Sequence, residues 1–291
     1  MGTRISGSTD LPLKERQDLT DELKRIIKDR SFGIGIVGVA SIDRFDGAPE
    51  GHGPRAYIQD ANAVIVIGLP IIDGVADHEH YLENSEIVKE EDFYEGIDGV
   101  KRVYNPRLAL QNQINLRSGH ESLNMEIQIL SIYAGAFLES KGYKTVAIPT
   151  TYGMTFSWRS DTFSAKPEYP ANVNGFGPFS HRHAAVAAGL GEFGLNNLLL
   201  TLQWGPRNRF TSIITRAPLV ADPVLNEKVC LGEKCAKCLK SCPGAAFGEI
   251  FAFEGGGRTN KMAKFDHLKC EQVYGGCLKK CISSCPIGAF D

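Results

Sequence analysis

The sequence contains no cysteine in its first 229 residues and no large excess of charge of either sign. A formal net charge of −2 over 291 residues gives no support for binding to nucleic acid or to a membrane surface. No segment approaches the run of about 18 apolar residues that a membrane-spanning helix needs. Residues 1–10 are polar and lack both an apolar signal region and a twin-arginine pair. We therefore expect no export and a cytoplasmic location.

All eight cysteines lie in one stretch, residues 230–285, which we call the cysteine segment. Its first half reads Cys230-x4-Cys235-x2-Cys238-x3-Cys242-Pro243, and its second half reads Cys270-x6-Cys277-x3-Cys281-x3-Cys285-Pro286. The second half repeats the first at an offset of 43 residues. Two Cys-x3-Cys-Pro endings are typical of bacterial ferredoxins with two [4Fe–4S] clusters, so we predict two such clusters here.

The division of the cysteines between the clusters is predicted from the ferredoxin pattern, in which the fourth ligand of each cluster comes from the other half of the repeat. One cluster then takes Cys230, Cys235, Cys238 and Cys285, and the other takes Cys270, Cys277, Cys281 and Cys242. Two structural zinc sites are the first alternative, but zinc sites favour paired Cys-x2-Cys motifs, and only one is present. A disulfide framework conflicts with the expected reducing compartment. Nearby lysines either favour an anionic partner or form a solvated surface.

The preceding 220 residues show the pattern of an α/β domain. Residues 11–30 have the apolar spacing of an amphipathic helix, and residues 34–39, 63–69, 143–148 and 210–215 are short β-branched runs typical of buried strands. A long helical pattern covers residues 108–140, with a break expected near Gly119. We predict an α/β domain over residues 1–220 and a small α+β ferredoxin-like domain over residues 221–291.

Three other stretches have two interpretations each. Gly35 and Gly38 fall inside an apolar run and open no Gly-x-Gly-x-x-Gly helix, so nucleotide binding is disfavoured. His78 and His80, with two aspartates, form either a metal site or a solvated loop, and the loop is favoured because no third ligand follows at a recognisable spacing. Residues 151–180 are aromatic, glycine-rich and irregular, which is more typical of a functional segment than of a simple connection.

The second half of the chain resembles the epoxyqueuosine reductases and corrinoid reductive dehalogenases. The similarity lies in the Ala188-Gly-Leu-Gly191 turn, the leucine-rich run from Leu198, the Gly205-Pro-Arg207 turn and the Thr215-Arg-Ala-Pro-Leu219 end, followed by the cysteine segment. The resemblance implies a nitroreductase-like domain that holds cobalamin and receives electrons from a cluster. It also implies cofactor contacts at Gly189, Gly191, Gly194, Asn196, Thr201, Arg207 and Arg209. A tight helix-to-strand connection is the alternative role for the glycines, and FMN is the alternative cofactor.

The chain also departs from those enzymes. The acidic proton donor of the epoxyqueuosine reductases aligns with Gly175, and the chain ends at Asp291 without their helical-repeat extension for tRNA. We therefore expect Tyr152, His181 or His183 to donate the proton, while helix capping or packing is the alternative for the histidines.

The sequence thus predicts an iron–sulfur reductase that removes a hydroxyl, an epoxide oxygen or a halide from a small molecule. The alternative is an electron-transfer or corrinoid-reactivating protein without substrate chemistry. Expected partners are a low-potential donor such as ferredoxin or flavodoxin and a second copy of the chain. No nucleic acid and no membrane are expected.

Overall fold

The computed structural model describes residues 6–86, 92–95, 97, 99–104, 106–150, 179–273, 277 and 279–289. Its helices are α1 Leu13–Arg30, α2 Asp73–Ala76, α3 His78–Tyr81, α4 Pro106–Gln113, a π-helix Ile114–Ser122, α5 Leu123–Ser140, α6 His181–Ala187, α7 Lys237–Lys240, α8 His267–Gln272 and α9 Lys280–Ser283. Its strands are β1 Ile36–Ser41, β2 Ala63–Pro70, β3 Asp92–Glu95, β4 Lys101–Tyr104, β5 Thr145–Ile148, β6 Glu192–Phe193, β7 Leu199–Leu200, β8 Asn208–Thr215, β9 Phe247–Gly255 and β10 Arg258–Phe265.

A four-stranded antiparallel sheet in the order β1-β2-β8-β5 forms the centre of the molecule. Side chains of the central strand β2 alternate between two faces. Val64 and Val66 pack against α6 on one face, whereas Ile65 and Ile67 pack against α1 and α5 on the other. Both faces are covered by helices, which explains why β2 is apolar throughout. The mixed α/β class predicted from the sequence is confirmed.

The element boundaries differ from the sequence expectations mainly where the chain is polar. The expected loop after β2 contains the short helices α2 and α3. The expected break near Gly119 is instead the π-helix, which joins α4 to α5 without interruption. Gly119 is buried there, and a side chain on it would lie 2.8 Å from Val75, so close packing explains the glycine. None of the helices in the described parts of the chain is long and apolar enough to cross a membrane.

The link between the sheet and the cysteine segment is fixed by Asp222. Its carboxylate lies 2.5 Å from Lys24 on α1 and accepts a hydrogen bond of 2.8 Å from the N–H of Val39 on β1. Its carbonyl accepts a further bond from Arg44. The antiparallel pair β9–β10 separates the two halves of the cysteine segment and packs through Phe253 against Phe193, next to α6. The cysteine segment is therefore held directly against the sheet domain.

Candidate metal centre

One group of four thiols surrounds a single cavity. Cys230, Cys235, Cys238 and Cys285 line it together with Gly194, Leu195, Asn196 and Leu200 of the sheet domain. Burial raises the pKa of Cys238 to about 11, and the neighbouring Cys285 and Cys230 raise it further. We call these four the first thiol group. Three come from the first half of the repeat and one from the second.

The other four cysteines form the second thiol group. Burial raises the pKa of Cys281 to about 12, and the next contributions come from Cys277, Cys270 and Cys242 in that order. Three of these residues belong to the second half of the repeat and Cys242 to the first. The cysteines that affect the pKa of Cys238 all belong to the first thiol group, whereas those that affect the pKa of Cys281 are the other three of its own group and also Cys238. The crossed division of the ligands stays a prediction.

The donor set fits iron–sulfur chemistry. Buried thiols with raised pKa values become thiolates only when a cation compensates their charge, and a coordinated thiol is deprotonated by its metal. Among the described residues, no three His, Cys, Asp or Glu side chains converge closely enough to hold a single metal ion. A [4Fe–4S] cluster binds four thiolates, one to each iron, and eight thiols in two groups of four match two such clusters.

The two halves of the cysteine segment have the same local geometry at the same offset as the sequence repeat. Ala236 and Lys279 each have a left-handed backbone, with φ of 42° and 53°, and each precedes a short helix, α7 or α9. Ser241 and Ser284 follow these helices and are joined by a hydrogen bond of 2.9 Å. The repeat is therefore structural as well as sequential, with the equivalent serines in direct contact.

Arg207 attaches the second half of the cysteine segment to the sheet domain. Its side chain is 2% exposed and donates hydrogen bonds of 3.1 to 3.2 Å to the carbonyls of Ser283, Cys285 and Ile287. The guanidinium also lies 2.6 Å from the carboxylate of Asp73 on α2. Burial raises the pKa of the Cys285 thiol, and the Ile287 N–H and the charge of Arg207 oppose that shift. Arg207 was predicted as a cofactor contact, and its described contacts are with Asp73 and with three backbone carbonyls of residues 283–287.

Glu192 plays the matching role for the first half, and no sequence pattern singled it out. One carboxylate oxygen accepts hydrogen bonds of 2.7 and 2.6 Å from the backbone N–H groups of Val229 and Cys230. The other accepts from Arg258 at 2.7 Å. This buried carboxylate therefore fixes the backbone at the first cysteine.

Arg209 and the π-helix meet beside the second thiol group. Arg209 donates to Asn124 at 3.0 Å and to Nε2 of His120 at 3.0 Å. Burial, together with the charges of Arg209 and Lys279, lowers the pKa of His120 to about 2. His120 is therefore neutral. His120 lies on the π-helix, and π-helices are frequent at functional sites. The sequence does not reveal the π-helix, so sequence reasoning did not identify His120.

The candidate proton donors are not brought together. His181 is buried, with Nε2 donating to the carbonyl of Pro149 at 3.1 Å and Nδ1 accepting from Ser212 at 2.9 Å. His183 stacks on Phe193 at 4.7 Å, and its Nδ1 lies 2.7 Å from the hydroxyl of Ser180, which caps α6. These contacts are those of the packing and capping alternative. Tyr152 and Gly175 lie outside the described residues, so the proton donor stays a prediction.

The turn glycines predicted to contact the cofactor are packed closely against other parts of the chain. A Cβ on Gly189 would lie 2.1 Å from the carbonyl oxygen of Pro223, and one on Gly191 would lie 2.1 Å from that of Leu200. A Cβ on Gly194 would meet the side chain of Leu200 at 2.4 Å. These distances favour the alternative role of the glycines in a tight connection.

Two polar candidates complete this turn. Asn196 donates to the carbonyl of Cys281 at 2.7 Å, and the hydroxyl of Thr201 accepts from the N–H of Trp204 at 3.1 Å. Asn196 thus reaches the second thiol group and also lines the cavity of the first. Cobalamin contacts at any of these positions stay predictions.

The histidine pair after β2 does not form a metal site. His78 is 1% exposed and its Nδ1 donates to the carbonyl of Val75 at 2.9 Å. His80 is exposed and lies 3.6 Å from Glu83. The aspartate at position 73 pairs with Arg207. The metal-site alternative is therefore unsupported, and the expected solvated loop is wrong at His78, because that side chain is in the interior.

Comparisons with known proteins show which sequences and folds the chain resembles. No protein-family model matches the sequence. Over 111 residues the chain is 34% identical to a tetrachloroethene reductive dehalogenase of Sulfurospirillum multivorans, a match that covers 35% of this chain and 22% of that protein. The match therefore spans less than a quarter of the curated relative.

Solved structures extend the similarity to the whole fold. An epoxyqueuosine reductase solved with an epoxyqueuosine-modified tRNA-Tyr stem loop gives a TM-score of 0.54 at 16% identity, covering 94% of this chain and 67% of that chain. A reductive dehalogenase whose structure suggests a mechanism for B12-dependent dehalogenation gives 0.55 at 18% identity, covering 100% of this chain and 35% of that chain. The resemblance inferred from the sequence is thus confirmed: the chain has the fold shared by the epoxyqueuosine reductases and the corrinoid reductive dehalogenases.

Proposed function

We propose that this protein is an iron–sulfur oxidoreductase that passes electrons through two [4Fe–4S] clusters to a bound cobalamin and so removes a hydroxyl, an epoxide oxygen or a halide from a small substrate. The observation that carries the proposal is the crossed gathering of eight thiols against a domain with a reductase fold. The curated relative is a reductive dehalogenase, and a structural neighbour is described in connection with B12-dependent dehalogenation.

In this proposal the two thiol groups hold one cluster each, in a ferredoxin-like domain of residues 221–291. Glu192 fixes the backbone entering the first thiol group, and Arg207 fixes the backbone around Cys285. The positive charge of Arg207 stabilises the thiolate form of Cys285 and therefore favours a cluster there. Asn196 contacts both thiol groups and keeps them in a fixed relation to the sheet.

The sheet domain, residues 1–220, would hold the cobalamin. When bound, cobalamin supplies a metal centre that accepts electrons from a cluster and delivers them to the substrate. The described residues best suited to its amide and phosphate groups are Arg209, His120 and Asn124, because they present polar groups beside the second thiol group. Gly189 and Gly191 leave no room for it on the side where a Cβ would lie. FMN remains the weaker alternative for the same position.

Anaerobic reconstitution tests the proposal. Protein refolded with iron and sulfide should contain about eight irons per chain, two cubanes of four, and should give the EPR signals of two interacting reduced clusters. Hydroxocobalamin added to this protein should co-elute with it and change absorbance on reduction. Intact clusters without any uptake of corrinoid would refute the cobalamin part of the proposal, and the same sample titrated with FMN then tests the flavin.

An Arg209→Gln variant separates cobalamin binding from cluster binding. It should weaken corrinoid uptake and keep the full iron content, because the hydrogen bonds of Arg209 to Asn124 and His120 lie within the sheet domain. Arg216→Gln is the matched control, since that arginine pairs with Asp60 at the far end of the same strand. Equal corrinoid uptake by both variants would contradict the assignment.

The second candidate function is electron transfer or corrinoid reactivation without substrate chemistry. Attachment of the two thiol groups to the sheet domain would suit electron transfer equally well. Absence of turnover by the cobalamin-loaded protein would support this second function. Halogenated phenols and an epoxyqueuosine-modified stem loop are the first substrates to try, because the comparisons contain both kinds of enzyme. The stem loop also tests the prediction that no nucleic acid binds. Light scattering tests the proposed homodimer.

A further inference from the structure

Three lysines around the first thiol group differ from the other exposed lysines of the cysteine segment. Lys234, Lys237 and Lys240 are exposed, and within the described parts of the chain no carboxylate lies within ion-pair distance of them. Four other lysines of the segment each have an acidic partner at 2.9 to 3.9 Å: Lys261, Lys264, Lys269 and Lys280. Exposed ammonium groups without an acidic partner among the described residues can bind the carboxylates of another protein.

An exposed apolar side chain lies among these lysines. Leu231 is 58% exposed and, like Lys237, lines the cavity of the first thiol group. The nearest acidic residue in sequence, Glu233, pairs with Lys261 on β10. An exposed leucine beside exposed lysines, at the cavity that the first thiol group lines, has the composition of a small transient interface.

We infer that Leu231 with Lys234, Lys237 and Lys240 forms the docking surface for a small acidic electron-transfer protein, and that electrons enter at the first thiol group. This inference rests on the proposed function, because it requires a cluster at Cys230, Cys235, Cys238 and Cys285. The lysines attract the acidic partner and orient it, and Leu231 provides the close contact. The second thiol group, which lies beside Arg209, is then the one that passes electrons on.

The charge pattern predicts how the partner binds. Electrostatic steering raises association rates about 10-fold to 1,000-fold and depends strongly on ionic strength. A surface with three unpaired lysines should therefore accelerate reduction by an acidic protein at low salt and lose the effect at 1 M salt, where the Debye length is about 3 Å. A small reductant that needs no docking surface should be insensitive to these lysines.

The test compares two reductants on the reconstituted, full-length protein. Reduced flavodoxin is the acidic protein donor, and reduced methyl viologen is the small donor. A K234Q/K240Q variant should be reduced about 10-fold more slowly than wild type by flavodoxin at low salt, and no more slowly at 1 M salt or by methyl viologen. Lys264→Gln, whose ammonium is paired with Glu249, is the matched control and should behave as wild type.

Two results would overturn the inference, and they are distinguishable. If methyl viologen reduces the K234Q/K240Q variant normally and flavodoxin reduces it as fast as wild type at low salt, the docking surface is wrong and the proposed function stands. If methyl viologen fails to reduce wild-type protein, the clusters themselves are wrong and the docking surface fails with them.

Discussion

Replacing Arg207 with glutamine should lower both the stability of the protein and the iron content of the first cluster. The variant leaves the Asp73 carboxylate, which is 9% exposed, without its cation, and it removes the donors to three carbonyls of the cysteine segment. Breaking a buried ion pair by removing one partner costs about 3–5 kcal/mol. A domain of this kind has about 5–15 kcal/mol of stability in total. The expected loss is therefore a large part of the free energy of unfolding.

The measurement is urea denaturation of the reconstituted protein under anaerobic conditions, with the iron content determined in the same samples. Arg216→Gln is the control, because its partner Asp60 is 61% exposed and such surface pairs contribute about 0–1 kcal/mol. We expect Arg207→Gln to lose about 3–5 kcal/mol relative to wild type and to bind less iron, since the backbone on both sides of Cys285 loses its support.

A double variant, Arg207→Met with Asp73→Leu, separates two contributions to stability. One is the free-energy cost of an unpaired Asp73 carboxylate, and the other is the stabilisation from the hydrogen bonds of Arg207 to the three carbonyls. Replacing a buried pair with apolar side chains is often neutral or stabilising. The double variant should therefore recover most of the stability but not the iron content, because the carbonyl contacts are still missing. If Arg207→Gln unfolds within about 1 kcal/mol of Arg216→Gln, the attachment of the cysteine segment through Arg207 is refuted.

Three further predictions concern the same attachment and the core beneath it. Gly205→Ala should prevent cluster assembly, because its Cβ would lie 1.9 Å from the carbonyl oxygen of Ile287 at a φ of 52°. The control is Gly232→Ala, which has a similar φ but open space around the Cβ and should lower only the melting temperature slightly. Equal iron content in the two variants would contradict this prediction. Glu192→Ala should release the backbone at the first cysteine and lower the iron content by about half, measured against Glu249→Ala, whose carboxylate is exposed. His181→Gln should make stability less dependent on pH. Burial lowers the pKa of His181 to about 4 from an unfolded value of about 6.5, so its contribution is complete above pH 6.5 and is lost as the pH falls toward 4. Urea midpoints at pH 7 and pH 5 should show wild type losing about 2 kcal/mol more than the variant, and identical losses would show that His181 does not titrate in this range.

The sequence predicts what depends on local pattern. The strand 63–69 and the helix 11–30 are found as β2 and α1 with shifts of one or two residues, because apolar periodicity directly reports which side chains face the core. The cysteine repeat likewise predicts its own geometry. Its offset recurs in the left-handed residues Ala236 and Lys279, each of which lies two residues before a Cys-x3-Cys-Pro motif.

The attachment of the cysteine segment to the sheet could not be predicted. Arg207 meets Asp73 and Cys285 across more than 70 residues in either direction, and Glu192 meets Cys230 across 38 residues. No periodic pattern encodes such contacts, since each depends on the packing of separate elements. Similarity to a family predicted a corrin contact for Arg207, which stays a prediction. Its contacts with Asp73 and with the cysteine segment could not be predicted, because the sequence does not show which way a side chain is directed.

If each cluster takes ligands from both halves of the repeat, the contacts of Glu192 and Arg207 with the cysteine segment affect cluster assembly. If Cys285 completes the first cluster and Cys242 the second, neither half of the repeat can form a cluster alone, and both must be held in register while iron is inserted. The spacer between them is the hairpin β9–β10, which packs on the sheet domain through Phe253 rather than forming a free loop. Glu192 contacts the backbone of one half and Arg207 that of the other, so the sheet domain helps to position both halves. The entropy of bringing distant cysteines together is then spent during folding of the whole chain. It follows that the same residues that assemble the clusters also fix their distance from the sheet domain, so a change at either attachment should alter cluster content and electron delivery together.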